Sequence, residues 1–434
     1  MRATVIAALL LSQVAAAAAC GEGRTATTSP PPPVRIGAIY DLRGRQAPRD
    51  VAALDGARLA VERINAGGGL LGRRVELLER DAQTEPGSIR RAAGSLVAAG
   101  CSAIIGLSDA EQVLAAAPVA ARAGVPFVTS GATSARLPDE VPDWLFLACC
   151  SDNAQAAAGA EYAVTRLDAR TAAVVYDKGR GATRALSRYF QRSFRAQGGR
   201  VLATAAYEKE SEVTQRLAEA RKRAADRDAR TGAGAAGADV LFVAADPADA
   251  AAVVRRVRLA GYAQPIIGTD SFDSAAVVTV AVRTGGDVCY TTHAAVGISS
   301  AGRAVRQFDT SFRTVYGRPP QNSFAGLGYD TIGLVAAAIR RAASATPADV
   351  RRALQRTRHY PGVTGTLGYD RGERLPRKTV TVVCVKRRPV VAAEFAPAHV
   401  ADPWGVAPRG PAQCGAPPPR PGRGGGARLT GRAP

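Results

Sequence analysis

Hydrophobic and polar positions are most informative between residues 101 and 134, where they follow the order strand, helix, strand. Two short apolar runs, Ala103–Gly106 and Val125–Thr129, have the length of buried strands. Between them the apolar spacing predicts a helix that begins after an N-cap residue and reaches about Ala123. Parallel strands joined by a helix bring the turns that follow them to one sheet edge, where ligands of open α/β sheets bind. The pattern therefore predicts a small-molecule site on two turns, Ser108–Ala110 and Ser130–Thr133.

The chain before this stretch continues the same plan. Apolar runs predict strands over Val34–Tyr40 and Gly72–Asp81, and helical spacing predicts helices over Leu54–Asn65 and Ser88–Ala99. Polar and small residues predict a loop over Gly44–Arg49.

A second half repeats the plan. The stretch Ala238–Asp270 contains an apolar run, a helical pattern, a second apolar run and a turn, at nearly the spacing of residues 101–134. At 434 residues the chain is also too long for one compact core. The sequence therefore predicts an α/β fold with two lobes whose turns face each other across a cleft.

Composition and charge favour a small-molecule partner. The chain has 57 Lys and Arg against 37 Asp and Glu, a formal net charge of +20, and few aromatic residues. The arginines are spread over predicted helix faces and are not clustered with aromatic side chains, so we read them as a solvated surface and expect no nucleic-acid partner.

The N-terminus has the pattern of a secretory signal peptide over residues 1–19: a charged Arg2, an apolar core over Val5–Val14 and a run of alanines. The run ends at Cys20 and resembles the bacterial lipobox, in which the cysteine carries the lipid. Residues 20–33 are polar and Pro-rich, as expected of a tether between an anchor and a domain. We expect an extracytoplasmic protein anchored to the cell membrane through Cys20; the alternative is a freely secreted protein.

Cysteine usage allows disulfides without fixing them. Six cysteines follow Cys20, and an oxidising compartment permits 15 pairings among them. No CxxC or Cys/His spacing suggests a metal, and the sequence predicts no metal and no cofactor. Beyond residue 401 the chain is rich in Pro, Gly and Arg, which predicts a disordered basic tail over 401–434.

Several segments together resemble the branched-chain amino acid receptors of ABC importers, in the type 1 periplasmic binding protein family. The resemblance covers about Val34 to Val391. It is carried by VRIGAIYDL (34–42), DGARLAVERINAGGGLLGRRVELLERDAQTEP (55–86), AIIGLSDAEQVLAAAPVAARAGVPFVTSGATS (103–134), AAVVYDKG (172–179), RLAGYAQPIIGTDSF (258–272) and FAGLGYDTIGLVAAAI (324–339).

The family fold implies two doubly wound parallel-sheet lobes joined by a three-strand hinge. On this chain the first lobe would comprise residues 34–149 and 292–362, and the second 150–291 and 363–400. The crossings would fall near 149–153, 289–293 and 363–371. This arrangement would place Cys149 or Cys150 close to Cys289, so a disulfide at the hinge is a hypothesis.

The resemblance also implies a ligand site. The carboxylate-holding turn falls at Ala110, where the usual serine hydroxyl is missing, although Ser108 and the N–H groups of Asp109–Glu111 are near. The second loop falls at Gly131, Ala132 and Thr133. The acid that pairs with a ligand ammonium falls at Asp270.

The family's aromatic positions fall at Arg49, about Gly181 and about Asp246, none of which is aromatic. A cleft with Arg49 and Asp246 suits a more polar ligand than Leu, Ile or Val, such as a polar amino acid, an amide or a small peptide. The alternative is that these two side chains point to solvent.

The expected function is a monomeric solute receptor that binds a small ligand and delivers it to an ABC permease. A sensor using the same cleft to signal to a partner protein is the alternative. An enzyme is disfavoured, because the three histidines lie in unrelated settings and no GxSxG, HExxH or P-loop motif is present. Asp109 and Asp270 are more simply a helix cap and a ligand-pairing acid than catalytic carboxylates.

Overall fold

The computed structural model describes residues 31–231, 237–285, 287–369 and 374–404. The predicted signal peptide, Cys20, nearly all of the tether, Cys414 and the tail beyond residue 404 lie outside the described residues.

Strands and helices alternate along most of the chain. The strands are β1 Val34–Tyr40, β2 Val75–Asp81, β3 Ala103–Gly106, β4 Phe127–Thr129, β5 Leu145–Leu147, β6 Thr171–Asp177, β7 Arg200–Tyr207, β8 Val240–Ala244, β9 Ile266–Gly268, β10 Val288–Thr292, β11 Tyr360–Gly362, β12 Gly365–Leu367, β13 Val380–Val385 and β14 Pro389–Phe395. The α-helices are α1 Ala47–Ala66, α2 Pro86–Ala98, α3 Ala110–Arg122, α4 Leu137–Glu140, α5 Asp152–Arg166, α6 Gly181–Ala196, α7 Val213–Thr231, α8 Ala250–Leu259, α9 Ala275–Arg283, α10 Arg303–Tyr316, α11 Phe324–Ala342 and α12 Pro347–Gln355. Short 3-10 turns span Glu210–Glu212 and Asp270–Phe272.

The first sheet is fully parallel, with strand order β2-β1-β3-β4-β5. All four residues of β3 are buried, and β1 exposes only Arg35. Because successive side chains of a strand point to opposite faces, both faces of this sheet are covered. We refer to this sheet and its helices as the first lobe.

The second sheet has the order β14-β13-β10-β9-β8-β6-β7 and forms the second lobe. Its strands from β10 to β7 are parallel, but β13 and β14 run antiparallel to their neighbours. The second of the predicted parallel-sheet lobes therefore has an antiparallel pair of strands at this edge. The connection between β13 and β14 is too short for a crossover and can only form a hairpin.

The two matching strand–helix–strand units are confirmed. One consists of β3, α3 and β4 in the first lobe, and the other of β8, α8 and β9 in the second. In each unit both strands are parallel members of the same sheet. The turns after these strands therefore lie at the carboxyl edges of the two sheets, as the pattern predicts.

The first helix begins earlier than predicted. Residues 44–49 were expected to form a loop, but α1 begins at Ala47 with Pro48 in its first turn. Proline fits that position because its fixed φ is helical and its missing N–H would have no partner there. Arg49 consequently lies on the first turn of α1 and not in a loop.

The hypothesis of a disulfide from Cys149 or Cys150 to Cys289 is wrong. Cys289 is bonded to Cys384. These residues lie directly opposite each other on the antiparallel strands β10 and β13, with their Cα atoms 4.0 Å apart. The buried Cys150 thiol instead contacts the ring of His293, with Sγ and Nδ1 2.9 Å apart.

The buried Lys378 forms hydrogen bonds that join two of the segments passing between the lobes. Lys378 Nζ donates to the carbonyl of Ala148, at 2.9 Å, and to the hydroxyl of Thr364. Asp330 on α11 accepts hydrogen bonds from the backbone N–H groups of Val363 and Thr364, both at 2.8 Å. These bonds fix the chain where it passes between the lobes. The exact lobe boundaries given above stay a prediction.

Candidate functional site

A cavity of about 340 Å³ lies where the turns of the two lobes face each other. From the first lobe it is lined by residues after β1, β3 and β4, and from the second by residues after β6 and β8. Its volume is at the lower end of the range for small-ligand sites. The five predicted site residues that line it are Arg49, Ser108, Asp109, Ala110 and Asp246.

Asp109 is the N-cap of α3. Its carboxylate accepts hydrogen bonds from the N–H groups of Glu111, at 2.9 Å, and Gln112, at 3.1 Å. This is the preferred role of an aspartate at a helix start. The N–H of Glu111 is therefore already used within the chain, which leaves less of this turn for a ligand carboxylate than the sequence suggested.

In the second predicted turn, Ser130–Thr133, backbone groups form hydrogen bonds within the protein and do not face the cavity. Ala132 is buried and its N–H donates to Thr129 Oγ1 at 3.0 Å, while the N–H of Gly131 points to the carbonyl of Leu107 at 3.4 Å. The carbonyl of Thr133 accepts from the N–H of Asp152 at 2.8 Å. Among the described residues, the turn reaches the cavity through its next residue, Ser134.

Asp270 lies behind Arg49 and is surrounded by hydrogen-bond donors. Its Oδ1 lies 3.1 Å from Arg49 Nη2, and its Oδ2 lies 3.3 Å from both Gln155 Nε2 and His293 Nε2. Burial disfavours its charged form, but the Arg49 charge and the bonds from His293 and Gln155 outweigh it and lower the pKa of Asp270 to about 2. Asp270 is therefore an ionised carboxylate with partners on both oxygens.

His293 extends this network away from the cavity. Burial alone would lower its pKa, but Cys150 on one ring nitrogen and Asp270 on the other raise the pKa to about 9. The raised pKa favours the protonated imidazole. The chain of contacts runs from Arg49 in the cavity to Cys150 between the lobes.

Arg49 and Asp246, the two residues that replace aromatic positions, do not point to solvent. Arg49 is 14% exposed, and its guanidinium lies 5.0 Å from the centre of the Phe324 ring. Asp246 is buried and lies between two guanidinium groups, 3.4 Å from Arg45 and 3.3 Å from Arg180. The Arg45–Asp246 and Arg49–Asp270 pairs both join the segment after β1 to the second lobe.

Sequence reasoning missed most of the second-lobe wall. That wall is the first part of α6, with Arg180, Arg184, Arg188 and Tyr189. The signal was available, because α6 follows β6 through a turn in the same way that α3 follows β3. Gln46, Ser134, Arg136 and Asp152 were also missed, and Glu111 was named only for its backbone N–H.

Asp152 places a titratable carboxyl group in the wall of the cavity. It is buried at the start of α5, and burial raises its pKa to about 7 despite the hydrogen bond from Thr133 and the charge of Arg49. The folded protein holds this proton more tightly than the unfolded chain does, because the pKa of an aspartate in the unfolded chain is about 4. The contribution of Asp152 to stability is therefore present at low pH. That contribution is lost as the pH rises from about 4 to about 7.

We expect Asp152→Asn to flatten this part of the pH dependence. The difference in the free energy of unfolding between variant and wild type should grow in favour of the variant between about pH 4 and pH 7. Urea unfolding of both proteins at a series of pH values measures it. Asp139→Asn, an exposed residue of α4, is the matched control. A constant difference across this range would contradict the assignment.

In the described part of the chain, no group of three or more His, Cys, Asp or Glu side chains could hold a metal ion. No helix in the described ranges combines the length and the apolar character needed to cross a membrane.

Comparison with known proteins identifies the family. The periplasmic binding protein family model matches residues 33–389. The Leu/Ile/Val-binding protein homolog 3 of Brucella melitensis is 32% identical over 146 residues, which are 34% of this chain and 40% of that protein. An amino acid binding protein of Pseudomonas aeruginosa is 31% identical over 124 residues, 28% of this chain and 33% of that protein. The matched stretches thus span less than half of either relative.

Solved structures confirm the fold. The leucine binding protein LivK of Thermotoga maritima superposes with a TM-score of 0.71 at 23% identity, covering 84% of this chain and 99% of that one. LivJ of Streptococcus pneumoniae, solved with isoleucine, superposes with a TM-score of 0.70 at 23% identity, covering 83% of this chain and 98% of that one. The predicted type 1 periplasmic-binding fold is therefore confirmed. With the family model matching across both lobes and the hinge, the chain belongs to the periplasmic binding protein family.

Proposed function

We propose that this protein is an extracytoplasmic solute receptor that binds one small polar ligand, an amino-acid-like compound or an amide, between its lobes. The observation that carries the proposal is the cavity itself. It is built from the carboxyl-edge turns of two separate sheets, which is where open α/β sheets bind ligands. Both walls contribute charged side chains, so a ligand that touches both would favour the closed arrangement.

Closure is the mechanism we propose for delivery. The cross-lobe ion pairs include Arg45–Asp246, whose arginine is 44% exposed, and the buried Arg49–Asp270 pair. An exposed pair such as Arg45–Asp246 contributes about 1 kcal/mol or less, which by itself is too little to hold the lobes together. A ligand that adds contacts to both walls would therefore decide the open–closed balance, and the closed form would be recognised by an ABC permease.

We also propose that the receptor is monomeric and is held at the outer face of the cell membrane by a lipid on Cys20. The support is the cysteine after a signal-peptide pattern and the Pro-rich tether that follows it. Metabolic labelling with a palmitate analogue should mark the wild type and not Cys20→Ser. Labelling of both proteins, or of neither, would contradict the anchor.

A thermal-shift screen tests the receptor proposal. We expect at least one compound among amino acids, amides, hydroxy acids and small peptides to raise the melting temperature. At a hundredfold excess over the dissociation constant the stabilisation should be about 2.7 kcal/mol. If no compound in any of these classes stabilises the protein, the proposal is wrong.

A further inference from the structure

We infer that the cleft selects an anionic solute, one with a carboxylate and a neutral hydrogen-bond donor such as a hydroxyl or amide N–H, over one with an ammonium group. The inference rests on the proposed receptor function and names the ligand class for the same cavity. It departs from the role that the family resemblance implied for Asp270.

The first step is that Asp270 is already paired with a cation and has hydrogen-bond partners on both of its oxygens. Its two oxygens contact Arg49, Gln155 and His293. One of these partners, the Arg49 guanidinium, is a cation, so the single negative charge of Asp270 is already balanced. Arg49 lines the cavity and Asp270 does not, so this ion pair presents its guanidinium, and not its carboxylate, to the cavity.

The second step is that the other acids of the cavity are also compensated. Asp246 contacts two guanidinium groups, from Arg45 and Arg180. Asp109 accepts two N–H groups at the start of α3. Glu111 is exposed, so water screens its charge. Burial raises the pKa of Asp152, the remaining acid of the cavity, which favours its neutral form. A ligand ammonium would therefore leave water for a wall whose acids are paired, screened or neutral, which is unfavourable.

The third step is an excess of guanidinium groups on the opposite wall. Arg184 and Arg188 are exposed residues that lie one turn apart on α6 and line the cavity. Arg184 donates to the carbonyl of Lys178, and in the described part of the chain neither arginine forms an ion pair with an acid. Like charges at this spacing repel each other. The first turn of α6 has no side-chain cap, and its Gly181, Ala182 and Thr183 also face the cavity. A carboxylate here would meet two guanidinium groups and the positive end of a helix.

The first-lobe wall offers a hydrogen-bond acceptor to the ligand. Gln46 is 7% exposed, lines the cavity, and has an amide oxygen without a hydrogen-bond partner among the described residues. A buried acceptor without a partner is unfavourable. A ligand hydroxyl or amide N–H would supply the missing hydrogen. The ligand class is therefore an anion on the α6 side with a neutral donor toward Gln46.

Paired compounds test this directly. Each pair has one carbon skeleton and differs only in a hydroxyl or an ammonium at the same carbon: L-malate and L-aspartate, L-2-hydroxyglutarate and L-glutamate, L-lactate and L-alanine, L-2-hydroxyisocaproate and L-leucine. Dissociation constants are measured by titration calorimetry on the purified full chain. We expect the hydroxy acid to bind about 10-fold tighter or more in each pair that binds.

Two variants of α6 test whether its arginines cause the preference for the hydroxy acid. Arg188→Gln should weaken binding of the tightest hydroxy acid by about 10-fold or more. Arg192→Gln removes the same charge one turn further along α6, away from the described cavity lining, and should leave affinity within about 2-fold.

The outcomes separate this inference from the receptor proposal. If the amino acid binds as tightly as its hydroxy partner, or if a neutral amide or an amine is the tightest ligand in the wider screen, the inference is overturned and the receptor proposal stands. Equal losses in Arg188→Gln and Arg192→Gln also overturn it. If nothing binds, the receptor proposal fails as well.

Discussion

Replacing both Cys289 and Cys384 with alanine should lower the free energy of unfolding by about 4 to 5 kcal/mol. The bond joins residues 95 positions apart, and cross-linking a loop of that length removes much of the entropy of the unfolded chain. It joins neighbouring strands β10 and β13, and β13 leads into the outer strand β14. Losing the bond should therefore loosen the antiparallel edge of the second lobe.

Two controls make this prediction specific. Cys101→Ala removes a buried thiol outside the disulfide and should cost only about 1 kcal/mol. Reductant should lower the stability of the wild type and leave the double variant unchanged. Mass spectrometry after alkylation under denaturing conditions should show Cys289 and Cys384 blocked from modification. Free thiols at both positions, or a double variant as stable as Cys101→Ala, would contradict the pairing.

Gly56→Ala should destabilise the protein by about 3 kcal/mol. Gly56 on α1 faces α11, and an added Cβ would lie 1.8 Å from the carbonyl oxygen of Ala325. Gly328 on α11 mirrors this contact, because its Cβ would lie 1.8 Å from the carbonyl oxygen of Ala53. The obstacle in each case is backbone, so the helices themselves must move apart. Gly328→Ala should therefore have an effect of similar size.

The control, Gly94→Ala, should change the free energy of unfolding in the opposite direction. Gly94 lies inside α2, and no atom lies within 4 Å of a Cβ added there. Gly94→Ala should stabilise the protein by up to about 1 kcal/mol, because alanine is the better helix former. Urea unfolding of the three variants measures all these effects. Loss of stability in Gly94→Ala, or none in Gly56→Ala, would mean that the two helices are not in backbone contact.

The same helix contact affects the site. Arg49 lies on the first turn of α1, and Phe324, the first residue of α11, lies under its guanidinium. Separating the helices would shift Arg49 relative to Asp270. We therefore expect Gly56→Ala, at a temperature where it is folded, to bind the ligand more weakly than Gly94→Ala.

The sequence predicted the elements whose signals are local. Apolar runs located β1, β3 and β8 closely, and Asp109 was recognised as a helix start because its residue type and position suffice for that. The start of α1 was missed because Pro48 suggests a loop as readily as a first helical turn. β14 was missed because it lies directly after a polar turn and is only half-buried.

Features that join distant parts of the chain could not be predicted in this way. The strand pairing that brings Cys289 to Cys384 depends on the register of a hairpin edge, which six cysteines alone cannot specify. Arg49 and Asp270 were each identified as site residues, but their contact spans 221 positions and depends on how the lobes face each other. Arg184 and Arg188 are exposed positions of α6, and only the placement of the opposite lobe shows that they line a cavity.

The central claim is that a ligand binds between the lobes, and a variant that fills the cavity tests it most directly. Ala110 lines the cavity at the start of α3, whereas Leu114, one turn later, is 38% exposed and lies outside the described lining. Calorimetric titration with the tightest ligand from the screen should show one site per chain in the wild type and in Leu114→Trp. Ala110→Trp should melt near the wild-type temperature and show no binding. Undiminished one-site binding by Ala110→Trp would contradict the claim.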